Sequence, residues 1–229
     1  MSTSIDAQKR SAAEAAAALI QPGMVVGLGT GTTTAWFVKA LAARNLDIVG
    51  VATSKATEDL AISLGISVVS FDDAAKIDLT VDGADEIGPG LGLIKGGGAA
   101  LLREKLVWEA SRRCIVIADA AKSVPVLGQF PLPIEIVPFG HATTAVRVRD
   151  ALADCNIKTV PILRLRDGQP LRTDNGNLIY DAACGVIRDP SSLADALKSV
   201  TGVVDHGLFL DLADEALVGS DGTVLRLLP

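Results

Sequence analysis

The sequence predicts an α/β fold in which a doubly wound parallel sheet carries an inserted ferredoxin-like α+β module, and three observations lead there. From residue 24 to residue 118, short apolar runs alternate with stretches of helical spacing, the pattern of parallel strands joined by crossover helices. Turns rich in glycine or built on Asp-Gly follow those runs, at the strand ends where open α/β sheets hold ligands. Beyond Pro131, Pro133 and Pro138 the order changes to βαββαβ, which is that of a ferredoxin-like module.

Residues 5–19 read as the first helix because alanine, the best helix former, dominates its middle. Pro22-Gly23 ends it, and 24–28 is a short buried strand. Gly29-Thr30-Gly31-Thr32-Thr33-Thr34 then leads into a helix with Trp36, Phe37, Ala40 and Leu41 at helical spacing. The alternation continues with a strand at 48–51, a helix capped around Thr53-Ser54 that runs to about residue 64, and strands at 68–71 and 79–81. A helix over 99–110 and a strand over 114–118 carry the first unit to Asp119-Ala-Ala-Lys122. The second unit is expected as strand 134–137, helix 142–153, strand 159–165, a turn at Asp174-Asn-Gly-Asn177, strand 178–182, helix 190–197 and strand 203–209. Residues 210–228, with Asp221-Gly222 between apolar segments, return to the first unit. The expected domains are therefore 1–130 with 208–229 and, inserted between them, 131–207.

Composition narrows the function classes. A chain of 229 residues can bury a sizeable core. Its 21 basic and 27 acidic side chains leave a net charge of -6, which disfavours a nucleic-acid surface, so an anionic ligand has to be held by local donors. Cys114, Cys155 and Cys184 are widely spaced and His141 and His206 lack ligand spacing, so a reduced, metal-free cytoplasmic protein is expected. No apolar run is long enough to span a bilayer, and the first residues do not read as an export signal.

The chemistry is concentrated in Asp82-Gly83-Ala84-Asp85-Glu86, followed by Lys95-Gly96-Gly97-Gly98 and, a little inside the next helix, Glu104. Each piece alone has an ordinary reading: Asp82-Gly83 as a turn, the glycines as a loop, and Glu104 between Arg103 and Lys105 as a solvated helix face. Their joint placement at the ends of successive strands argues for a site. Carboxylates beside a glycine-rich turn can move protons while bared N–H groups and a lysine stabilise the oxyanion that forms, which suits enolisation of a carbonyl compound. The Thr30 to Thr34 turn has a phosphate-binding layout, because the first turn of a helix leaves N–H groups unpaired and carries partial positive charge. A dinucleotide fingerprint would need glycine at position 32 or 34, where threonine stands, and no segment supplies a P-loop. Nicotinamide chemistry and nucleotide hydrolysis are disfavoured accordingly.

In order and spacing, Gly29-Thr-Gly-Thr-Thr33, Asp82-Gly-Ala-Asp-Glu-Ile87, Ile94-Lys-Gly-Gly-Gly98 with Glu104, Ala118-Asp-Ala-Ala-Lys122 and Asp174-Asn-Gly-Asn177 closely resemble the type A family of ribose-5-phosphate isomerases, over essentially the whole chain. The resemblance implies a cofactor-free interconversion of ribose 5-phosphate and ribulose 5-phosphate in pentose phosphate metabolism. It also implies a Rossmann-like domain with a smaller α+β domain inserted near its end, and a homo-oligomer, commonly a dimer. It makes Glu104 the base and carries ligand roles to Thr30, Gly31, Thr32, Thr33, Asp82, Gly83, Ala84, Asp85, Lys95, Gly96, Gly97, Gly98 and Lys122. The family often has serine where this chain has Thr32, and the hydroxyl is kept. The residues around Gly140-His141 and Asp211 depart from the family's forms and are given no role.

Moving a carbonyl from C1 to C2 of an open-chain aldose removes the C2 proton, passes through a cis-enediol and protonates C1 on the same face. One carboxylate can perform both transfers, and Glu104 is expected to be that group. Asp82 is expected to exchange hydroxyl protons and help open the ring, Asp85 to position hydroxyls, and Lys95 with the Gly96 to Gly98 amides to stabilise the enediolate. Whether Lys9 folds over the phosphate stays open at this stage. Two other classes are weighed: a phosphosugar-sensing domain, which would come with a DNA-binding module that the acidic balance disfavours, and an acyl-thioester transferase using the same glutamate and glycine loop.

Overall fold

The computed structural model describes residues 4–74, 76–220 and 222–229. Helix α1 (Ile5–Ala17) is started by the Ser4 hydroxyl, which accepts from Ala7 N, and turns Ala12, Ala13, Ala16 and Ala17 inward. Strand β1 (Val25–Leu28), α2 (Thr32–Ala43), β2 (Val49–Ala52), α3 (Lys55–Ser63), β3 (Ser67–Val68) and β4 (Leu79–Gly83) follow. Next come β5 (Glu86–Ile87), β6 (Leu93–Ile94), α4 (Leu101–Glu109) and β7 (Cys114–Asp119). After them the chain forms β8 (Leu132–Ile136), α5 (His141–Asp154), β9 (Ile162–Leu163), β10 (Leu165–Arg166), β11 (Gln169–Pro170) and β12 (Leu178–Ala182). It ends with α6 (Pro190–Lys198), β13 (Val203–His206), β14 (Leu208–Phe209), β15 (Glu215–Ser220) and β16 (Thr223–Leu227).

The chain divides into two compact units, the first made of the residues through Ala84, Arg103–Ser123 and Asp211–Pro229, the second of Asp85–Leu102 and Val124–Leu210. The first unit holds a seven-stranded sheet in the order β16-β15-β7-β4-β1-β2-β3. All its pairs are parallel except β15 with β16. The chain runs outward from β1 through β2 to β3 and then returns to place β4 on the other side of β1, so the order reverses between β1 and β4. That reversal is where an open α/β sheet leaves a crevice at its carboxyl edge. The register pairs Leu28 with Val81, so the turn after β1 and Asp82 emerge side by side.

Apolar alternation explains how the sheet is covered. Val26, Leu28, Val81, Ile115 and Ile117 pack with Ala12 and Ala16 of α1 and Phe37 and Leu41 of α2. Val25, one residue out of phase, packs instead with Val51, Ile77 and Val107 of α4. Each large side chain buried in this way stabilises the fold by about 1.5–3 kcal/mol.

The second unit contains a four-stranded antiparallel sheet in the order β13-β8-β12-β9, the order expected of a ferredoxin-like module. Ile134 and Ile136 from its centre pack with Val148 and Leu152 of α5 and Leu193 and Leu197 of α6. A three-stranded sheet β14-β6-β5 and the hairpin β10-β11 complete it.

Several expected elements are corrected. The strand at 68–71 is only Ser67–Val68, because the Ser70 hydroxyl accepts from Asp72 N and starts a 3-10 turn at Phe71. Residues 159–165 do not form one strand: Pro161 lacks an N–H for the ladder, and Asp167 and Gly168, at φ 52 and 76, turn β10 back onto β11 as a two-residue hairpin. The helix expected from residue 99 begins at Leu101, since Ala99 has φ 62. The strand expected over 203–209 is interrupted at Gly207, whose N–H donates to Pro133 O while its carbonyl accepts from Lys95 N at 2.8 Å. In the 221–222 turn, Asp221 lies outside the described residues, and Gly222 has φ 83.

The three cysteines are free thiols. Burial, with the negative charge of Glu86 adding to it, pushes the Cys184 thiol up to about 11. An unfolded thiol ionises near pH 8.5, so between about pH 8.5 and 11 the unfolded chain sheds this proton and the folded chain keeps it. Native stability should therefore lose this contribution as pH rises through that window. At about pH 8, a thiolate-directed alkylating reagent is expected to label Cys184 far more slowly in native than in urea-unfolded protein, as read by mass spectrometry of the Cys184 peptide.

Candidate active site

The threonine turn and Asp82 form one hydrogen-bonded piece in the first unit. Asp82 is 0 % exposed at the end of β4. Its Oδ1 accepts from Thr30 N at 2.9 Å, from Gly83 N at 2.7 Å and from the Thr34 hydroxyl at 3.3 Å. These donors offset part of the cost of burying the carboxylate. Gly29 is required here, because a Cβ at that position would lie 2.0 Å from Asp82 Oδ1. Thr30 Oγ1 lies 2.8 Å from both Thr53 Oγ1 and Ser54 Oγ, and the Thr57 hydroxyl donates to Gly29 O at 2.8 Å. The α3 N-terminus thus holds the turn from one side.

Helix α2 starts at Thr32 after Gly31, which has φ 118 and provides no side-chain cap. The first N–H groups of α2 have no partner within the helix, which makes this end suited to an anion. Lys9, on α1, donates to the Thr32 hydroxyl at 3.1 Å. The residue whose role the sequence left open is therefore brought to the threonine turn. Gly83 faces the same turn: a Cβ on it would come within 3.9 Å of Thr34 Oγ1 and 4.0 Å of Thr33 Cβ.

Glu104 sits on α4, whose residues from Arg103 onward belong to the first unit, and it is 3 % exposed. Helical spacing puts it on the same face as buried Val107 and Trp108. The solvated face that its charged neighbours suggest is overturned: the acid lies on the apolar side of its helix. Lys122 ends a 3-10 turn at Ala120–Lys122 directly after β7. Since β7 pairs with β4, Gly83 against Ile117, that turn is at the same carboxyl edge of the sheet. It is held by Gln8 Oε1, which accepts from Ala120 N at 3.1 Å, and by Asp119 Oδ1, which accepts from Ala121 N at 3.1 Å.

In the second unit, Lys95 follows β6, a strand of the small antiparallel sheet and not of the parallel one. It is 2 % exposed, and its ammonium stands 5.3 Å from the centroid of the Phe209 ring, a cation–π arrangement. Asp85 Oδ2 accepts from Gly97 N at 2.7 Å. The Gly97 amide, expected to face an oxyanion, thus orients a carboxylate in this structure. Two other acids of this unit are structural. Buried Glu86 accepts from Gly128 N at 2.7 Å and from Phe130 N, and buried Glu135 accepts from the Thr173 hydroxyl and Asn177 Nδ2, each at 2.9 Å. The Asp174-Asn-Gly-Asn177 motif therefore contributes to the fold by pinning Glu135. Among the described residues no group of three or more His, Cys, Asp or Glu side chains could hold a metal ion. No helix among them is long and apolar enough to cross a membrane.

Residues 49–223 match the family model described as ribose 5-phosphate isomerase A (phosphoriboisomerase A). A shorter stretch, 5–71, which contains the threonine turn, also matches the DeoR C-terminal sensor domain. The chain is 66% identical over 226 residues to the ribose-5-phosphate isomerase A of Caulobacter sp. (strain K31), covering 99% of this chain and 100% of that protein. A solved D-ribose-5-phosphate isomerase in complex with phospho-erythronic acid is similar with a TM-score of 0.92 and 39% identity, over 99% of this chain and 100% of that one. The ribose 5-phosphate isomerase A structure from Methanocaldococcus jannaschii is similar with a TM-score of 0.90 and 35% identity, over 99% and 100% of the two chains.

Proposed function

The chain belongs to the ribose 5-phosphate isomerase A family, and from that premise we propose how its residues interconvert D-ribose 5-phosphate and D-ribulose 5-phosphate through a cis-enediol. It is an aldose–ketose isomerase. Glu104 takes the proton from C2 of the open-chain pentose and returns it to C1 on the same face. Asp82 exchanges hydroxyl protons and assists ring opening, Asp85, held by the Gly97 amide, positions the sugar hydroxyls, and Lys95 with the amides of Gly96 and Gly98 stabilises the enediolate oxygen. Thr30, Gly31, Thr32 and Thr33 hold the phosphate, joined by the cations of Lys9 and Lys122, while Gly83 and Ala84 leave room beside them.

The observation that carries this reading is Asp82, whose Oδ1 takes hydrogen bonds from Thr30 and Thr34 of the phosphate turn. An acid and an anion-binding helix start are thereby one rigid piece, so a phosphate held there fixes the far end of the substrate relative to a proton-transfer group. Magnitudes require such cooperation. A positioned base supplies roughly 10²–10⁴-fold and one oxyanion donor about 10²–10³-fold, whereas enzymes commonly exceed about 10⁶-fold. Remote phosphate binding contributes by restricting the pentose to a reactive geometry.

Ribose 5-phosphate alone, with no added metal or nucleotide, is the substrate that tests this. Formation of the ketopentose phosphate supports the isomerase, and binding without turnover would leave only a sensor. Thr32→Val removes the hydroxyl that Lys9 reaches, so KM for ribose 5-phosphate should rise about tenfold, the factor that goes with losing roughly 1.4 kcal/mol of hydrogen bonding. An unchanged KM in steady-state assays would argue against the phosphate assignment.

The enzyme is further proposed to act in the non-oxidative part of pentose phosphate metabolism, in the cytoplasm, as a homodimer. Free cysteines without disulfides suit a reducing compartment. Exposed Phe139, Val160 and Ile162 on the second unit supply apolar surface for self-association. Light scattering on the purified protein gives the oligomeric mass directly.

A further inference from the structure

The peptide that joins Gly96 to Gly97 is held at both ends by side chains of its own unit. Arg164 Nη1 donates to Gly96 O at 2.8 Å and to Gly97 O at 3.1 Å. The N–H of the same Gly96–Gly97 peptide donates to Asp85 Oδ2 at 2.7 Å. Asp181 fixes the guanidinium in turn, accepting from Nε at 2.8 Å and also from Nη2, the paired geometry that arginine makes with a carboxylate. The Arg164 side chain is 15% exposed and that of Asp181 is 25% exposed. Asp85 in its turn fills the space beside Gly97, where a Cβ would stand 2.6 Å from its Oδ1.

We infer that Arg164 is a positioning residue of the isomerase, acting on Asp85 through the Gly96–Gly97 peptide, an inference that rests on the role given to Asp85 above. A peptide is planar, so pinning its carbonyl oxygen fixes the direction of its N–H. A carbonyl that accepts from a cation is polarised, and the N–H on the other side becomes a stronger donor. The pinning matters because the loop has little conformational preference of its own: Gly96 sits at φ 105, and only glycine reaches that region without strain. A lysine could not replace the arginine. Its single point charge cannot bridge two carbonyls and grip a carboxylate in one plane. Asp181 balances the charge of Arg164, so the guanidinium orients the loop without presenting an unpaired cation to the sugar.

The test is a double-mutant cycle of Arg164→Met and Asp85→Asn, with kcat and KM for ribose 5-phosphate, far-UV circular dichroism and thermal melts for each variant. Arg164→Met should keep the fold and lose about 10²-fold in kcat with KM little changed, the scale on which small misplacements act. Arg164→Lys should recover only part of that loss. In the Asp85→Asn background, Arg164→Met should cost little more, because the peptide then has no carboxylate to position. Impaired Asp85→Asn beside an unimpaired Arg164→Met overturns the inference alone, as do fully additive losses. Unimpaired Asp85→Asn overturns the role of Asp85 and the inference with it. If Arg164→Met does not fold, the same cycle run with Arg164→Lys, which keeps the charge and the stem, gives the same decisions.

Discussion

Glu104→Gln is expected to lower kcat by about 10²–10⁴-fold, the contribution of a positioned general base, while leaving the fold and sugar-phosphate binding in place. Glutamine matches glutamate in volume and keeps a carbonyl oxygen where a carboxylate oxygen stood, so the face shared with Val107 and Trp108 is not opened. What it cannot do is accept and return a proton. The turn proposed to hold the phosphate consists of other residues, Thr30 to Thr34 with Lys9, and should bind as before. Circular dichroism and the inhibition constant of a non-isomerisable four-carbon sugar-acid phosphate should therefore be unchanged beside the lost turnover. Near-normal kcat would remove Glu104 from its role.

Gly29→Ala should be nearly as damaging, for a different reason. The new Cβ would lie 2.0 Å from Asp82 Oδ1, 2.1 Å from Asp82 Cγ and 2.5 Å from Asp82 Cβ. The last of these is anchored to the β4 backbone, so a change of rotamer cannot relieve the clash. Overpacking costs about 1–3 kcal/mol, and displacing the carboxylate from the donors on Thr30, Gly83 and Thr34 about 1–3 kcal/mol more. At roughly 2–4 °C per kcal/mol for a chain of this size, a fall in Tm of several degrees should be measurable by calorimetry. Because one contact ties acid to turn, kcat should fall and KM should rise together. A variant with wild-type Tm and kinetics would show that Asp82 has room the structure does not give it.

Much of this was legible in the sequence because it depends on local spacing. A glycine and threonine turn between an apolar run and an amphipathic stretch reads as a helix start, and Asp82 follows Leu79-Thr80-Val81, which reads as a strand. The pairing of β1 with β4 then brings them together, a neighbour relation that the structure supplies and the alternating pattern does not specify. Glu104 was readable as a candidate and its partial burial was expected from that role, although Arg103 and Lys105 beside it give the pattern of an exposed face when read alone. Long-range partners were not legible. Lys9 meets Thr32 across 23 residues and Arg164 meets Gly96 across 68, and nothing in the spacing of either residue signals those contacts. The strand expected over 159–165 failed through turn chemistry written in the sequence, with Pro161 inside it and Asp167-Gly168 after it. Lys95 was expected at the end of one of the successive strands of the parallel sheet and instead follows a two-residue antiparallel strand, which periodicity does not single out.

Isomerisation in deuterium oxide tests the proton shuttle most directly. When native protein equilibrates ribose 5-phosphate in that solvent, a carboxylate that exchanges with water between its two transfers introduces deuterium at C1 of the ketose and C2 of the aldose, which proton NMR follows as signal loss. The account predicts wash-in by the native enzyme and its loss, by about 10²-fold or more in rate, in Glu104→Gln saturated with the same sugar phosphate. Deuterium entering those positions at the native rate in Glu104→Gln would contradict it.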